Sequence, residues 1–263
     1  MNAGLRSLSR LFALLLLCAL ALQLYFVARI GLMAAIDPES TSFQRSEIAR
    51  LAIEKHEVAW SQEWVTDGRI ASNLKRAVIA SEDAGFVDHG GVDWDSIKAA
   101  WEKNQRAEAR AERVNEQLDK REAQREKAGK PIANPAPRAN AKIVGGSTIT
   151  QQLAKNLFLS GERNAARKAQ EIVITYMLEG LLDKRRILEI YLNSVEWGEG
   201  VFGAQAAARH YFHVDAAQLG AAQAARLAVM LPAPKRFEKN PGSPYVNGRA
   251  GTIVARMGAV ELP

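Results

Sequence analysis

From Leu11 to Ala28 the chain carries an apolar run, LFALLLLCALALQLYFVA, whose one strongly polar member is Gln23. Arg29 interrupts the run and Ile30–Ile36 continues it; a long arginine side chain reaches the interface from such a position. At about 1.5 Å per residue, roughly 20 residues cross a hydrocarbon core about 30 Å thick. Residues 11–36 are therefore predicted to be a transmembrane anchor. Arg6 and Arg10 precede it, so the positive-inside rule keeps residues 1–10 in the cytoplasm and puts the rest outside the inner face. Ala19-Leu20-Ala21 resembles a signal-peptide cleavage site, but apolar residues continue through Leu22, Leu24, Tyr25, Phe26 and Val27, which favours an uncleaved anchor.

Past the anchor the pattern changes. Residues 37–72 read as a connecting region with helical character. Leu74–Ala80 is apolar and helix-like, and apolar residues recur at helical spacing in Ile172–Leu182, Ile187–Leu192 and Leu219–Leu231. No strand alternation is sustained and no repeat appears, so the class is mostly α. Between these parts lies a charged stretch, 102–142. Through Lys127 it holds good helix formers and a Glu116–Lys120 pair at i,i+4, but also like-charge neighbours such as Arg106–Arg110. Gly129-Lys130-Pro131, Pro135 and Pro137 then break any helix. With so few large apolar residues this stretch reads as a solvated or mobile insertion at about 103–142, within a domain spanning 37–263.

Composition narrows the function classes. Of 263 residues 48% are apolar and 24% charged, which supports a packed core and excludes a wholly disordered chain. The single cysteine, Cys18, excludes an intrachain disulfide. A net charge of +6 invites a nucleic-acid reading. However, three arginines without an acid sit in residues 1–36, and residues 102–142 hold eleven Lys/Arg against seven Asp/Glu. The remainder is close to neutral, whereas a nucleic-acid-binding domain carries its positive charge on the fold itself.

Three stretches carry candidate chemistry. In Ser81–Asp93, Glu82 falls where a helix gives way to a loop; beside Phe86 and Trp94 its pKa would rise, suiting a general base or acid. Seen alone, Glu82 and Asp83 read more readily as surface charges, and His89 as a loop histidine. In Gly145–Asn156, two glycines, Ser147 and Thr148 precede a helix, a site for an anion on free backbone N–H groups or an ordinary helix cap. The Walker GK[ST] tripeptide is missing. In the third, Arg163, Arg167 and Glu171 stand at i, i+4 and i+8 if they share one helix, with Lys168 beside them. Guanidiniums suit phosphate oxygens, and a salt-bridged solvent face is the plainer alternative.

In order and wording, these stretches resemble the family-51 glycosyltransferases, the peptidoglycan polymerases. The matching text is EDxxFxxHxG at Glu82–Gly91, GGSTITQQLxKN at Gly145–Asn156, RKxxE at Arg167–Glu171, KRRILExYLN at Lys184–Asn193 and GxGxxGxxAAAxxYF at Gly198–Phe212. EWGEGVFGAQAAARHYF and LAVMLPAPKRF look most like the monofunctional Gram-negative branch. The link between the first two motifs is longer than the family's. A bifunctional penicillin-binding enzyme is excluded: Ser72-Asn73-Leu74-Lys75 fits SxxK, but no KTG or SDN partner exists.

The resemblance implies a lysozyme-like, mostly α glycosyltransferase domain behind the anchor. Its substrate would be lipid II, polymerised with inversion at the MurNAc C1 and release of undecaprenyl diphosphate. Glu82 would be the base. Lys155, Arg163, Arg167 and Lys168 would stabilise the diphosphate, and Glu171 would orient them, hold a divalent ion or contact the leaving oxygen. Ser147, Thr148, Gln151 and Gln152 would line the substrate path, while Asp83, Phe86 and His89 shape the Glu82 loop. Glu189, Asn193, Gly200 and Gly203 look architectural. No organic cofactor is implied; a divalent cation, Mg or Mn, would assist the diphosphate. Implied partners are lipid II, the growing glycan, the bacterial inner membrane and cell-wall division or elongation proteins, with no nucleic acid. A lytic hydrolase would share the helix-end Glu but has no use for the cations. A non-enzymatic scaffold would leave the motifs idle.

Overall fold

The computed structural model describes residues 3–129, 137–159, 161–162 and 164–263. It is mostly helical and separates into two compact units, one formed by the chain up to Val92 together with Thr148–Pro263, the other by Asp93–Ser147.

In the first unit α1 (Ala3–Leu32) is a continuous helix, as the apolar run predicts. Within it Ser7–Leu32 is long and apolar enough to cross a membrane. Ser7 to Leu22 are exposed, whereas Phe26, Ile30 and, just past the helix end, Met33 are buried. These three lie at 3–4 residue spacing and so on one face. α2 (Ser42–Arg50) starts with a capping box in which the Thr41 hydroxyl and the Gln44 side chain satisfy each other's backbone N–H. The core is built by α3 (Ser72–Glu82), α5 (Ile149–Phe158), α6 (Ala165–Leu181), α7 (Lys184–Ser194), α8 (Ala204–Phe212), α9 (Ala221–Met230) and α11 (Pro244–Met257). α9 packs against α3 and α11, and α5 against α6 and α7. The predicted apolar segments thus fall in α3, α6, α7 and α9. A four-residue α10 (Pro234–Phe237) follows α9.

The strands are too short for any alternation to show: β1 (Ser61–Gln62), β2 (Glu196–Gly198) and β3 (Val201–Phe202), in the order β1-β3-β2. Gly200 turns the chain between β2 and β3 at φ +73°, where a Cβ would come within 2.0 Å of the Ala59 carbonyl oxygen. Only glycine fits there. Asn193 ties this region to the loop before α3, accepting from Val65 N–H at 3.0 Å and donating to Val65 O at 2.9 Å. Trp60 stacks on Phe202 and Trp64 packs on the core, with the Arg186 guanidinium over its ring, so both tryptophans are packing residues. Lys75 of the SxxK match forms an ion pair with Asp67 at 2.5 Å, a structural use of that lysine.

Glu196, at the start of β2, belongs to an ionic cluster. Glu47 pairs with both Arg50 and Lys235, and Glu196 is 8% exposed, with Lys235 Nζ 3.5 Å from an Oε1 that makes no hydrogen bond. Burial pushes the Glu196 carboxyl up to about 7, the Glu47 and Glu238 charges add to the rise, and Lys235 opposes it. A carboxyl whose folded pKa exceeds its unfolded value favours the fold while protonated and loses that contribution as pH rises from about 4.5 to about 7. Measured by denaturation, the parent should lose up to about 3 kcal/mol relative to Glu196→Gln across that window. A difference between the two proteins that does not vary with pH would refute the burial argument.

In the second unit α4 (Trp94–Lys127) runs 34 residues from its Asp93 cap and buries no residue, so the segment is solvated as expected. It is nonetheless ordered through Lys127, and the returning chain is fastened to it. The Asn115 amide exchanges two hydrogen bonds with the Ala139 backbone, at 2.8 and 3.0 Å, and the Asn104 amide does the same with Val144, at the same distances. Eleven helical residues and five extended ones each span roughly 16 Å, so the two clamps are in register with an antiparallel return. Arg138 adds ion pairs to Asp119 and Glu122. A count of apolar burial does not see these contacts, in which asparagine amides tie described parts of the segment together without burial.

Candidate active site

α3 ends at Glu82, and Asp83 has already left the helix. Asp83 is buried, with both oxygens engaged: one accepts from the backbone N–H of Ile149 at 2.9 Å, the other faces His89 Nε2 at 2.8 Å. Gly91 N–H donates to His89 Nδ1 at 3.1 Å, which makes Nδ1 the acceptor and leaves the ring proton on Nε2, toward Asp83. Asp83 therefore fastens the start of α5 to the end of α3. Phe86 is fully buried under Lys184, whose Nζ lies 4.5 Å from the ring centre and also bonds His89 O and Glu179. Gly91, at φ +88°, passes so close to α6 that a Cβ would lie 2.6 Å from Glu179 Cγ.

These contacts leave the Glu82 side chain half-buried and directed by two others. Gln152 Nε2 donates to Glu82 Oε2 at 2.9 Å, and the Tyr191 hydroxyl donates to Gln152 Oε1, also at 2.9 Å. Burial and the adjacent Asp83 charge push the Glu82 carboxyl up, while the Gln152 bond opposes them. Burial, with the charges of Glu82 and Asp83, holds the Tyr191 phenol well above its ordinary value, so it stays a donor. The chain Tyr191–Gln152–Glu82 thus presents a donor to one carboxylate oxygen, and among the described residues no partner occupies Oε1. A carboxylate so placed has one oxygen open to a proton donor.

α5 links this carboxylate to the cations. A capping box starts the helix, Thr148 and Gln151 satisfying each other's backbone N–H, which leaves the buried Gln151 Nε2 without a partner. Gln152 and the exposed Lys155 stand at i,i+3 on one face. α6, packed on α5, is capped by Asn164, and its first turns hold the ion triad. Glu171 is 3% exposed; its Oε2 takes Arg167 Nη1 at 2.8 Å and its Oε1 takes Lys168 Nζ. Arg167 Nε is buried with no hydrogen-bond partner among the described residues. A buried carboxylate with both oxygens engaged fixes two cations in place and uses only an Nη1 donor of the Arg167 guanidinium, which leaves further N–H donors for another acceptor.

The family model described as "Transglycosylase" matches residues 48–128 and 132–258, which include every element just described. The chain belongs to the transglycosylase family. It is similar to proteins named biosynthetic peptidoglycan transglycosylase from several bacteria. The Herminiimonas arsenicoxydans protein is 49% identical over 94% of both chains. That of Burkholderia thailandensis is 50% identical over 93% of this chain and 83% of its own, and that of Bordetella pertussis 46% over 93% and 90%.

Within this transglycosylase the structure gathers Glu82, Asp83, Phe86, His89, Thr148, Gln151 and Gln152 around the α3–α5 junction, and Arg167, Lys168 and Glu171 on α6. Ser147 belongs to the second unit, as does the exposed Trp94. Arg163 lies outside the described residues, and α6 begins after it, at Ala165. Sequence reasoning passed over Tyr191, Lys184, Glu179 and Thr150. Thr150 donates to Glu179 at 2.6 Å, completing the Lys184–Glu179 brace behind Gly91. Lys184 and Tyr191 were visible only as letters of the KRRILExYLN text, since nothing local to α7 says which residue it will reach.

Proposed function

We infer that this transglycosylase polymerises lipid II at the outer face of a bacterial inner membrane, with α1 as a single-pass anchor and the amino terminus cytoplasmic. The observation that carries the reading is the shared face of α5. One residue there grips the Glu82 carboxylate, a cation stands one turn on, and the helix packs on the one bearing the Glu171-clamped Arg167 and Lys168. A hydrolase acting on finished glycan has no anionic leaving group and needs no such cations.

In this mechanism the 4-hydroxyl of the acceptor GlcNAc attacks the MurNAc C1 of the donor chain. An alcohol is a weak nucleophile, so its proton passes to Glu82 as the new bond forms. Opposite the attack, the bond to diphosphate breaks and the anomeric centre inverts. Charge gathers on the leaving undecaprenyl diphosphate, where Arg167, Lys168 and Lys155 stabilise it in position. Glu171 serves as the orienting anion for the first two. It does not fit as a metal ligand as it stands, because both oxygens are held by cations; among the described residues, no three His, Cys, Asp or Glu groups converge on one point. No step is therefore routed through a divalent ion. Confinement to the leaflet that holds donor and acceptor raises their effective concentration at the enzyme.

The test is incubation of the purified full chain with labelled lipid II. Long glycan strands are the expected product. Release of soluble fragments from finished peptidoglycan, without polymer, would establish a lytic enzyme instead. The second unit supplies a further prediction. Because α4 buries no residue, a short Gly/Ser link in place of residues 103–142 should leave the main thermal unfolding transition in place. The segment carries more Lys and Arg than acids, which draws it toward anionic lipid, so product length should become less sensitive to salt. Loss of the transition, or a product distribution identical to the parent's at every salt concentration, would contradict this.

A further inference from the structure

Gln23 is the polar residue in the middle of the apolar run, and it is paired. Its Nε2 donates to Gln170 Oε1 at 3.0 Å and its Oε1 accepts from Gln170 Nε2 at 3.0 Å. The pair continues the buried face of α1. Phe26 meets Phe158 edge-on, with ring centres 5.2 Å apart; Ile30 and Met33 are buried, and Arg186 donates to Met33 O at 2.8 Å. The last third of the anchor is thus docked along α5, α6 and α7.

The depth of that docking follows from helix geometry. With the middle of Ser7–Leu32 at the bilayer midplane, Arg29 falls at the edge of a core about 30 Å thick, and Gln23, six residues earlier, lies roughly 9 Å inside it. Gln170 must lie at the same level. Arg167, Lys168 and Glu171 are within a turn of Gln170, so the ion triad also sits below the level of Arg29. Around α6, at 100° per residue, Val173 falls on one flank of Gln170 and Arg167 and Glu171 on the other. Val173 and Tyr176 are 41% and 48% exposed, an apolar flank suited to lipid chains. Charges at such a depth are costly unless polar headgroups come down to meet them.

We propose that the Gln23–Gln170 pair is a depth lock, which holds the start of α6 below the outer edge of the bilayer core so that Arg167 and Lys168 meet the phosphates of a lipid-linked diphosphate in a locally thinned leaflet. Gln23 is then a positioning residue for the reaction. The proposal rests on the anchor and the lipid-diphosphate substrate inferred above. The reciprocal pair gives each amide one donated and one accepted hydrogen bond where water cannot. Remove one, and the other must leave the hydrocarbon to find a partner, lifting α6.

The experiment has one arm that needs no activity. In the full chain with Cys18→Ser and Val173→Cys, a nitroxide on residue 173 is placed in phospholipid vesicles and its collisions with oxygen and a water-soluble nickel complex are compared. The parent label should report hydrocarbon. Gln23→Leu and Gln170→Leu should each shift it toward water, and Gln23→Leu with Gln170→Leu, which strands no amide, should return it. In the second arm, lipid II turnover is measured in phosphatidylcholine vesicles of increasing acyl length. Each single variant loses both bonds of the pair and should raise KM by at least about three- to twentyfold, the range for one interhelical hydrogen bond in a membrane, with kcat kept. The penalty should grow in thicker bilayers and vanish in detergent. A parent label that already reports water, or a depth unmoved by either single variant, overturns the lock. A label that moves as expected in a protein that makes no polymer overturns the lipid II reading and leaves the lock standing.

Discussion

Glu82→Gln should bring polymerisation of lipid II down by about 10²–10⁴-fold, the usual worth of a positioned proton acceptor. The substitution is nearly isosteric, and its amide can still accept from Gln152, so the Tyr191–Gln152 chain and the α3–α5 junction persist. Thermal unfolding should therefore stay close to the parent's, and it removes a carboxyl that burial and the Asp83 charge already disfavour as an anion. Because the Glu82 pKa is raised, parental turnover should fall on the acid side of a midpoint above the ordinary carboxylate value. The readout is a pH–rate profile beside the variant's rate. Near-parental turnover in Glu82→Gln would remove Glu82 from the role of base.

Arg167→Ala should lower kcat by about 10²–10³-fold, the scale for losing one donor aimed at developing charge. Two observations set the expectation: Nη1 is committed to Glu171, while Nε is buried without a partner among the described residues. Arg167→Lys should not rescue, since an ammonium offers no second donor in the fixed plane of the guanidinium. Lys155→Ala, at an exposed site on α5, should slow turnover with little change in stability. Arg167→Ala leaves Glu171 with a single counter-charge, so its folded fraction must be measured alongside its rate. If both alanine variants polymerise at the parental rate, the cations form only a salt-bridged face and the diphosphate reading fails.

Local pattern was enough for much of this molecule. An eighteen-residue apolar run has one stable outcome in helical form, and helical spacing marked α3, α6, α7 and α9, because burying one face is a property of consecutive residues. Glu82 at a helix end, the Thr148 cap and the Arg167–Glu171 spacing were legible for the same reason. What could not be read was anything decided by residues far apart in the chain. Two- and three-residue strands have no period to show. The order in α4 and its return comes from asparagine amides meeting backbone 24 and 40 residues away, which a count of apolar residues misses. Tyr191 reaches Gln152 across 39 residues, and Gln23 meets Gln170 across 147. Hydrogen bonds are short and directional, so which donors and acceptors are satisfied is settled only when packing brings the helices together. Packing is what turns Glu82 from a surface charge into a half-buried carboxylate with a raised pKa, and what docks the end of an apolar helix on the domain.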